Sequence, residues 1–272
     1  MEAEVLRKLQ STELKILEAV TNLCEKHDIN YFLDSGTLIG AIRHDGFIPW
    51  DDDIDIAMPY QDYCRFLEIA QTELGEDYYI QNYLTEDHFY KSYTKVCLNN
   101  TSVIPPEWKA WDIHHGAWVD IFPMFYSDSE KEIRKKAKIY KRASMLQEQN
   151  YYRNCIICNG GNPKLMIGYV LLSMLCIIPM KTRKRIHTRM LRKIFTDQDG
   201  RYLCRCAIIV RKFEKDSYMG PKCYHKFEHL SLRIPNDYDK VLRMEYGDYM
   251  QLPPEDKRGN HNTPYLDIEV HV

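Results

Sequence analysis

The 272-residue sequence lacks an apolar run long enough to cross a bilayer. Its longest uncharged apolar stretch, Leu165 to Met180, has 16 residues. As a helix it would reach about 24 Å, short of a hydrocarbon core of roughly 30 Å. The start, MEAEVLRKLQ, brings Glu2 and Glu4 before any apolar run. That excludes an ordinary secretory signal, and the chain is expected to stay in the cytoplasm. The nine cysteines are odd in number and lack the compact spacing of a disulfide framework, which fits a reducing compartment. Internal repeats and low-complexity segments are absent as well. At 44% hydrophobic and 28% charged the chain is globular, with room for one large domain or a catalytic domain and an appendage.

Charge of one sign is missing from two long stretches. Residues 1–62 hold 13 acidic against 5 basic side chains, a balance of −8. Residues 131–193 hold 16 basic against 2 acidic, a balance of +14. The first stretch suits cations; the second suits anions such as phosphates or lipid headgroups.

Val5, Leu6, Leu9, Leu14, Leu17, Val20 and Cys24 recur at helical spacing and predict an amphipathic helix over residues 4–26. Tyr31 to Leu33 reads as a short strand, TLIGAIRH as one or two helical turns, and DIDIAM as an alternating strand. A helix is expected from Gln61 to Leu74, with strands at Tyr78–Tyr83, Tyr93–Leu98 and Trp118–Phe122. Residues 129–150 read as a basic helix and 164–193 as a helical stretch, apolar then basic. The end, from Leu230, reads as loop-rich. This order predicts an α/β (α+β) fold, a mixed sheet flanked by helices with a helical hydrophobic and basic insertion. The expected division is a core at 1–128, a helical basic segment at 129–215 and a C-terminal segment at 216–272 that completes the site.

Asp51, Asp52, Asp53 and Asp55 stand at the entrance to an apolar run, where uncompensated charge is costly. If Asp53 and Asp55 share a strand, they point the same way roughly 6.6 Å apart and can converge on one hard cation. Asp120, between Val119 and Ile121, supplies a third carboxylate from a neighbouring strand. A solvated turn with a helix cap is the plainer reading of an isolated Asp-x-Asp. The apolar flanks of Asp55 and Asp120 weigh against it. Ser35-Gly36, after a strand and opening a helix, would turn backbone N–H groups toward an anion. Arg43 and His44 follow, where a phosphate could be clamped. Turn, Asp-x-Asp strand and third Asp together form the nucleotidyltransferase arrangement for metal-assisted phosphoryl transfer.

GTLIGAIRHDGFIPWDDDIDIAM resembles the signature block of the LicD-type phosphocholine transferases and their fukutin-related relatives. WVDIFPM (Trp118 to Met124) resembles a second block of that family, and YGDYMQLPPEDKRGNH (Tyr246 to His261) a third. The resemblance implies a nucleotidyltransferase-like fold. It also implies transfer of phosphocholine, or a similar phospho-alcohol, from a CDP-activated donor such as CDP-choline. The acceptor would be a hydroxyl of a cell-surface glycan or its lipid-linked precursor. By position, Asp53, Asp55 and Asp120 would be catalytic and hold Mg2+ or Mn2+, with Asp120 either a ligand or the base. Ser35, Gly36, Thr37, Arg43, Asp52, Lys95, Trp111, Asp248, Arg258 and His261 would meet substrate, although Lys95 reads equally well as a solvent-facing lysine. No nucleic-acid partner is expected.

Trp108, Trp111 and Trp118 lie near His114 and His115 in PPEWKAWDIHHGAW. A lid loop docked by aromatic anchors is the plainer reading, and a cation–π cage for choline the sharper one. Cys155, Cys158, Cys204 and Cys206 read as ordinary thiols before they read as a zinc site. Leu165–Met180 and its basic neighbour fit either a core helix beside a solvated one or a helix lying in the membrane surface. The charge asymmetry favours the second, on the inner face of the membrane. Two competing functions remain, an NTP-using nucleotidyltransferase and a non-catalytic membrane-surface adaptor. The three aspartates argue against the adaptor.

Overall fold

The computed structural model describes residues 3–89, 91–104, 108, 112–147, 177–207, 210–259 and 265–267. Trp111, Cys155, Cys158, Leu165–Cys176 and His261 lie outside them.

Helix α1 (Ala3–Lys26) buries Leu9, Ile16, Leu17, Val20, Leu23 and Cys24 along one stripe. It packs beside α3 (Tyr60–Leu74), and both contact the central strands of the main sheet. That sheet runs β1 (Phe32–Leu33), β2 (Asp55–Pro59), β6 (Trp118–Ser127), β4 (Thr94–Leu98), β3 (Tyr78–Gln81), while β5 (Ser102–Ile104) stands outside it and pairs with Tyr265–Asp267. β6 is long enough to pair twice. Its first half meets β4, and its last four residues meet β7 (Tyr202–Cys206), which pairs with β8 (Val210–Glu214). β2 and β6 run parallel and the other pairs antiparallel, so the sheet is mixed. This is the α/β arrangement expected, with β6 twice as long as its apolar core suggested. Its ten residues are nearly all buried, as a strand between two neighbours requires.

Three expectations change. Asp53 lies ahead of β2, which begins at Asp55, so the two aspartates do not share a regular strand. The region after Leu230 holds β10 (Leu230–Ile234), which pairs with β9 (Cys223–Phe227), and a helix at Tyr238–Tyr246. Its prolines fall outside these elements or at their ends, where a missing N–H costs little. The basic stretch also divides at Pro179, which caps a helix at Met180–Arg192.

Helix α2 (Ser35–His44) fits between β2 and the β9–β10 hairpin. A Cβ at Gly40 would come within 2.4 Å of the Gly46 carbonyl oxygen, so only glycine lets the following loop fold back there. A second apolar cluster joins α4 (Glu130–Gln147), α5 (Met180–Arg192) and the far end of the sheet. It uses Phe125, Ile133, Tyr140, Leu191, Ile194 and Cys204.

Candidate active site

The parallel register sets Asp55 opposite Asp120, and the antiparallel register sets Lys95 opposite Asp120. One row across three adjacent strands therefore carries two carboxylates and an ammonium, and residues in such a row face the same way. Lys95 is 2% exposed and donates to Asp120 Oδ1 at 2.7 Å. Asp55 is tied by its backbone: its N–H donates to Thr37 Oγ1 at 2.8 Å, and its carbonyl accepts from the Asp34 N–H at 3.1 Å. Burial, then the charges of Asp53, Asp120 and Asp34, push the Asp55 carboxyl well above the usual carboxylate range, against the pull of Arg205.

A residue outside every sequence motif joins this group. Glu13 on α1 is 1% exposed, and its Oε2 has no hydrogen-bond partner among the described residues. Burial and the neighbouring charges of Asp53, Asp52, Asp51 and Asp120 hold it protonated well above its ordinary range. A signal existed. Glu13 stands one turn from both Leu9 and Leu17, inside the apolar stripe of its helix.

The start of α2 is crowded by acids of the chain itself. Ser35 adopts a left-handed backbone (φ 51°) after Asp34, the residue that caps the helix. A Cβ at Gly36 would lie 2.8 Å from Asp51 Oδ2. Asp51 therefore occupies the space above Gly36 where an anionic ligand was expected. Asp34 is fully buried and pairs with Arg205. The same guanidinium donates to Ser35 Oγ at 2.6 Å and pairs with Glu245. Arg205 is the second site residue that the motifs missed. Its mark in the sequence is one arginine inside the strand YLCRC.

Cationic groups gather at the C-terminal end of α2. Arg43 donates to the Tyr249 carbonyl at 2.7 Å, and the Arg258 guanidinium lies 5.3 Å from the Trp50 ring centre. Burial first, and the charge of Arg258 second, hold Arg43 below its ordinary range. His44 packs edge-on to Trp50 and is lowered by burial and by Arg43. Two guanidiniums that feel each other's charge are a ready place for a phosphate. Trp50 is the residue of this cluster that sequence reasoning passed over.

Residues 28–156 match the family model described as LicD/FKTN/FKRP, nucleotidyltransferase domain. Those residues form a LicD-family domain. Over 279 aligned positions the chain is 28% identical to the lipopolysaccharide cholinephosphotransferase LicD of Haemophilus influenzae. The alignment covers 96% of this chain and 97% of that one. An uncharacterised protein of Rickettsia typhi is 42% identical over 55 residues, 20% of this chain and 18% of its own length. The human ribitol 5-phosphate transferase FKRP is 34% identical over 56 residues, 21% of this chain and 11% of its own.

Within this LicD-family domain, two expectations about single residues are corrected. Lys95 is not solvent-facing. Its ammonium sits 3.9 Å from the Trp118 ring centre and 5.1 Å from that of Trp108, as well as on Asp120. Two of the tryptophans read as a choline cage, Trp108 and Trp118, thus already hold a cation of the protein itself. A buried ammonium needs both a counter-charge and polarisable walls. His114 stacks on Tyr79, with ring centres 4.8 Å apart, and its Nε2 bonds Asn99 Oδ1 at 2.8 Å. Cys204 and Cys206 are buried, and burial raises both thiols, Cys204 to about 12. Asp52 is buried, and Asp248 is exposed in the bend after the last long helix.

Among the described residues no three His, Cys, Asp or Glu side chains converge as ready metal ligands. The donor chemistry still fits a hard divalent cation. Burial first, and the negative charges of Asp53, Asp120 and Asp34 next, make Asp55 resist ionising, and a divalent cation beside these carboxylates would offset that.

Proposed function

We propose that the chain is a transferase that moves phosphocholine, or a related phospho-alcohol, from a CDP-activated donor to a hydroxyl of a surface glycan or its lipid-linked precursor. The similarity along nearly the whole chain to a lipopolysaccharide cholinephosphotransferase supports the reaction class. The observation that carries it to these residues is the row Asp55–Asp120–Lys95, with Asp53 just ahead of it. In the reaction the acceptor oxygen forms a bond to the phosphorus bearing the alcohol. The bond from that phosphorus to the CMP oxygen breaks, and CMP departs with the electron pair. Positioning and charge neutralisation carry most of such a transfer.

Asp53 and Asp55 would hold a divalent cation, Mg2+ or Mn2+. When bound, it would supply positive charge to the diphosphate and the leaving oxygen. Asp120 is assigned the acceptor proton. The Lys95 ammonium already satisfies one of its oxygens and fixes the direction of the carboxylate. Arg43 and Arg258 bind the donor diphosphate, and Trp50 and His44 wall that side. Thr37 acts on the site through the Asp55 backbone, and Ser35 and Gly36 shape the turn that brings Asp34 and Asp51 beside it.

The deciding experiment incubates the protein and Mg2+ with CDP-choline, CDP-ethanolamine, CDP-glycerol or CDP-ribitol and a glycan acceptor. CMP release that depends on acceptor is the expected result. Pyrophosphate released from an NTP, with every CDP-alcohol inert, would replace this reading by a nucleotidyltransferase.

A further inference from the structure

Helix α5 presents two unlike faces. Arg183, His187 and Leu191, one turn apart, are buried toward α4 and the sheet. The opposite face carries Lys181, Arg185, Arg189, Arg192 and Lys193, all exposed and none in an ion pair with a carboxylate among the described residues. Lys184, at the flank, pairs with Asp87 at 2.6 Å. No acidic residue occurs from Ile177 to Lys193, so the face has no internal neutralisation. Apolar groups accompany the charge: Ile177, just ahead of the helix, is 80% exposed, and Ile186 on its side is 37% exposed. Helix α4, packed on α5, adds Lys131, Arg134, Lys135 and Lys138 along its own surface.

We propose that the outer face of α5 docks the protein on an anionic lipid bilayer. Unpaired cations at helical spacing attract a negative headgroup layer, and each gains affinity within about a Debye length of it. A soluble polyanion would be served by the cations alone. The exposed isoleucines favour the bilayer, because apolar side chains beside a basic face enter the headgroup boundary. The helix is too short and too charged to span, so the contact is peripheral. An acceptor built on a lipid carrier would then be met where it lies. The docking itself does not depend on the transferase reading, since it can be read with vesicles alone.

The test is co-sedimentation of the full chain with vesicles of phosphatidylglycerol in phosphatidylcholine, against phosphatidylcholine alone, at low and high salt. The wild-type protein should pellet with the anionic vesicles at low salt and release at high salt. Together, Lys181→Gln, Arg185→Gln and Arg189→Gln should weaken binding on the order of 100-fold, about fivefold per charge. Their outward position should leave the circular dichroism unchanged. Should that triple variant misfold, Ile177→Ser with Ile186→Ser decides, and undiminished vesicle binding by this pair overturns the proposal. So does a wild-type protein that ignores anionic vesicles at low salt, or one that binds polyphosphate but not vesicles.

Discussion

Asp55 shows how one residue carries both function and cost. Its carboxyl ionises reluctantly, because burial and the charges of Asp53, Asp120 and Asp34 disfavour the anion. A group whose folded pKa lies above its unfolded one stabilises the fold below the unfolded value and loses that contribution as pH rises through the folded value. At neutral pH without metal, Asp55 therefore strains the protein. Asp55→Asn keeps the shape and removes the charge. The expected outcome is loss of detectable transfer together with a higher melting temperature in EDTA, by about 2–4 °C for each kcal/mol relieved. A thermal melt and the CMP assay on one preparation check both halves. Near wild-type turnover at saturating Mg2+ would remove Asp55 from the chemistry.

Helix α5 is docked by a titratable contact. His187 is fully buried, bonds Ser92 Oγ through Nε2 at 3.0 Å and meets the Tyr83 ring edge-on at 4.2 Å. Burial pulls its pKa down to about 3, so the ring is neutral in the folded state. Unfolded histidine titrates near 6.5. The stabilising contribution of neutral His187 is thus complete above about pH 6.5 and is lost as pH falls toward 3, by up to about 1.4 kcal/mol per pH unit. Urea unfolding of wild type and His187→Gln between pH 7 and 4 isolates this contribution from the carboxylates that titrate alongside it. The wild type should lose stability more steeply, and parallel curves would show that His187 takes up no proton on unfolding. The signs of α5 were readable beforehand, since basic residues and spacing marked a helix. Its start was not, because 164–193 read as one helical stretch, whereas the helix begins at Met180 behind Pro179.

Across the whole molecule, Arg205 binds distant parts of the chain into one site. Its guanidinium pairs with Asp34 before α2 and with Glu245 near the end of the chain, and it bonds Ser35. Both carboxylates are nearly buried. Arg205→Met would leave them without their cation, a change that costs about 3–5 kcal/mol when a buried pair is broken from one side. Chemical denaturation should show that loss at pH 7. The added effect of Glu245→Gln in the Arg205→Met background should be smaller than in the wild type, because the two side chains share one network. Simple additivity would mean that Arg205 and Glu245 act separately.

Local patterns in the sequence determined most elements and part of the site. Helical spacing set α1 and α3, alternation and apolar flanks set the β2 and β6 strands, and the aspartates beside them announced a charged centre. These signals sit within a few residues of one another, where hydrophobic periodicity and backbone chemistry act. The tertiary structure alone decided which groups neutralise that centre. Strand register put Lys95 on Asp120, turning a lysine of open role into a buried clamp held against Trp118 and Trp108. Packing of α1 brought Glu13 to the aspartates from 40 residues upstream of Asp53, and sheet pairing carried Arg205 to Asp34 across 171 residues. A charge is paired by whatever lies within a few ångströms in space, and distance along the chain does not encode that. The carboxylates could therefore be read from the sequence, while their partners had to wait for the fold.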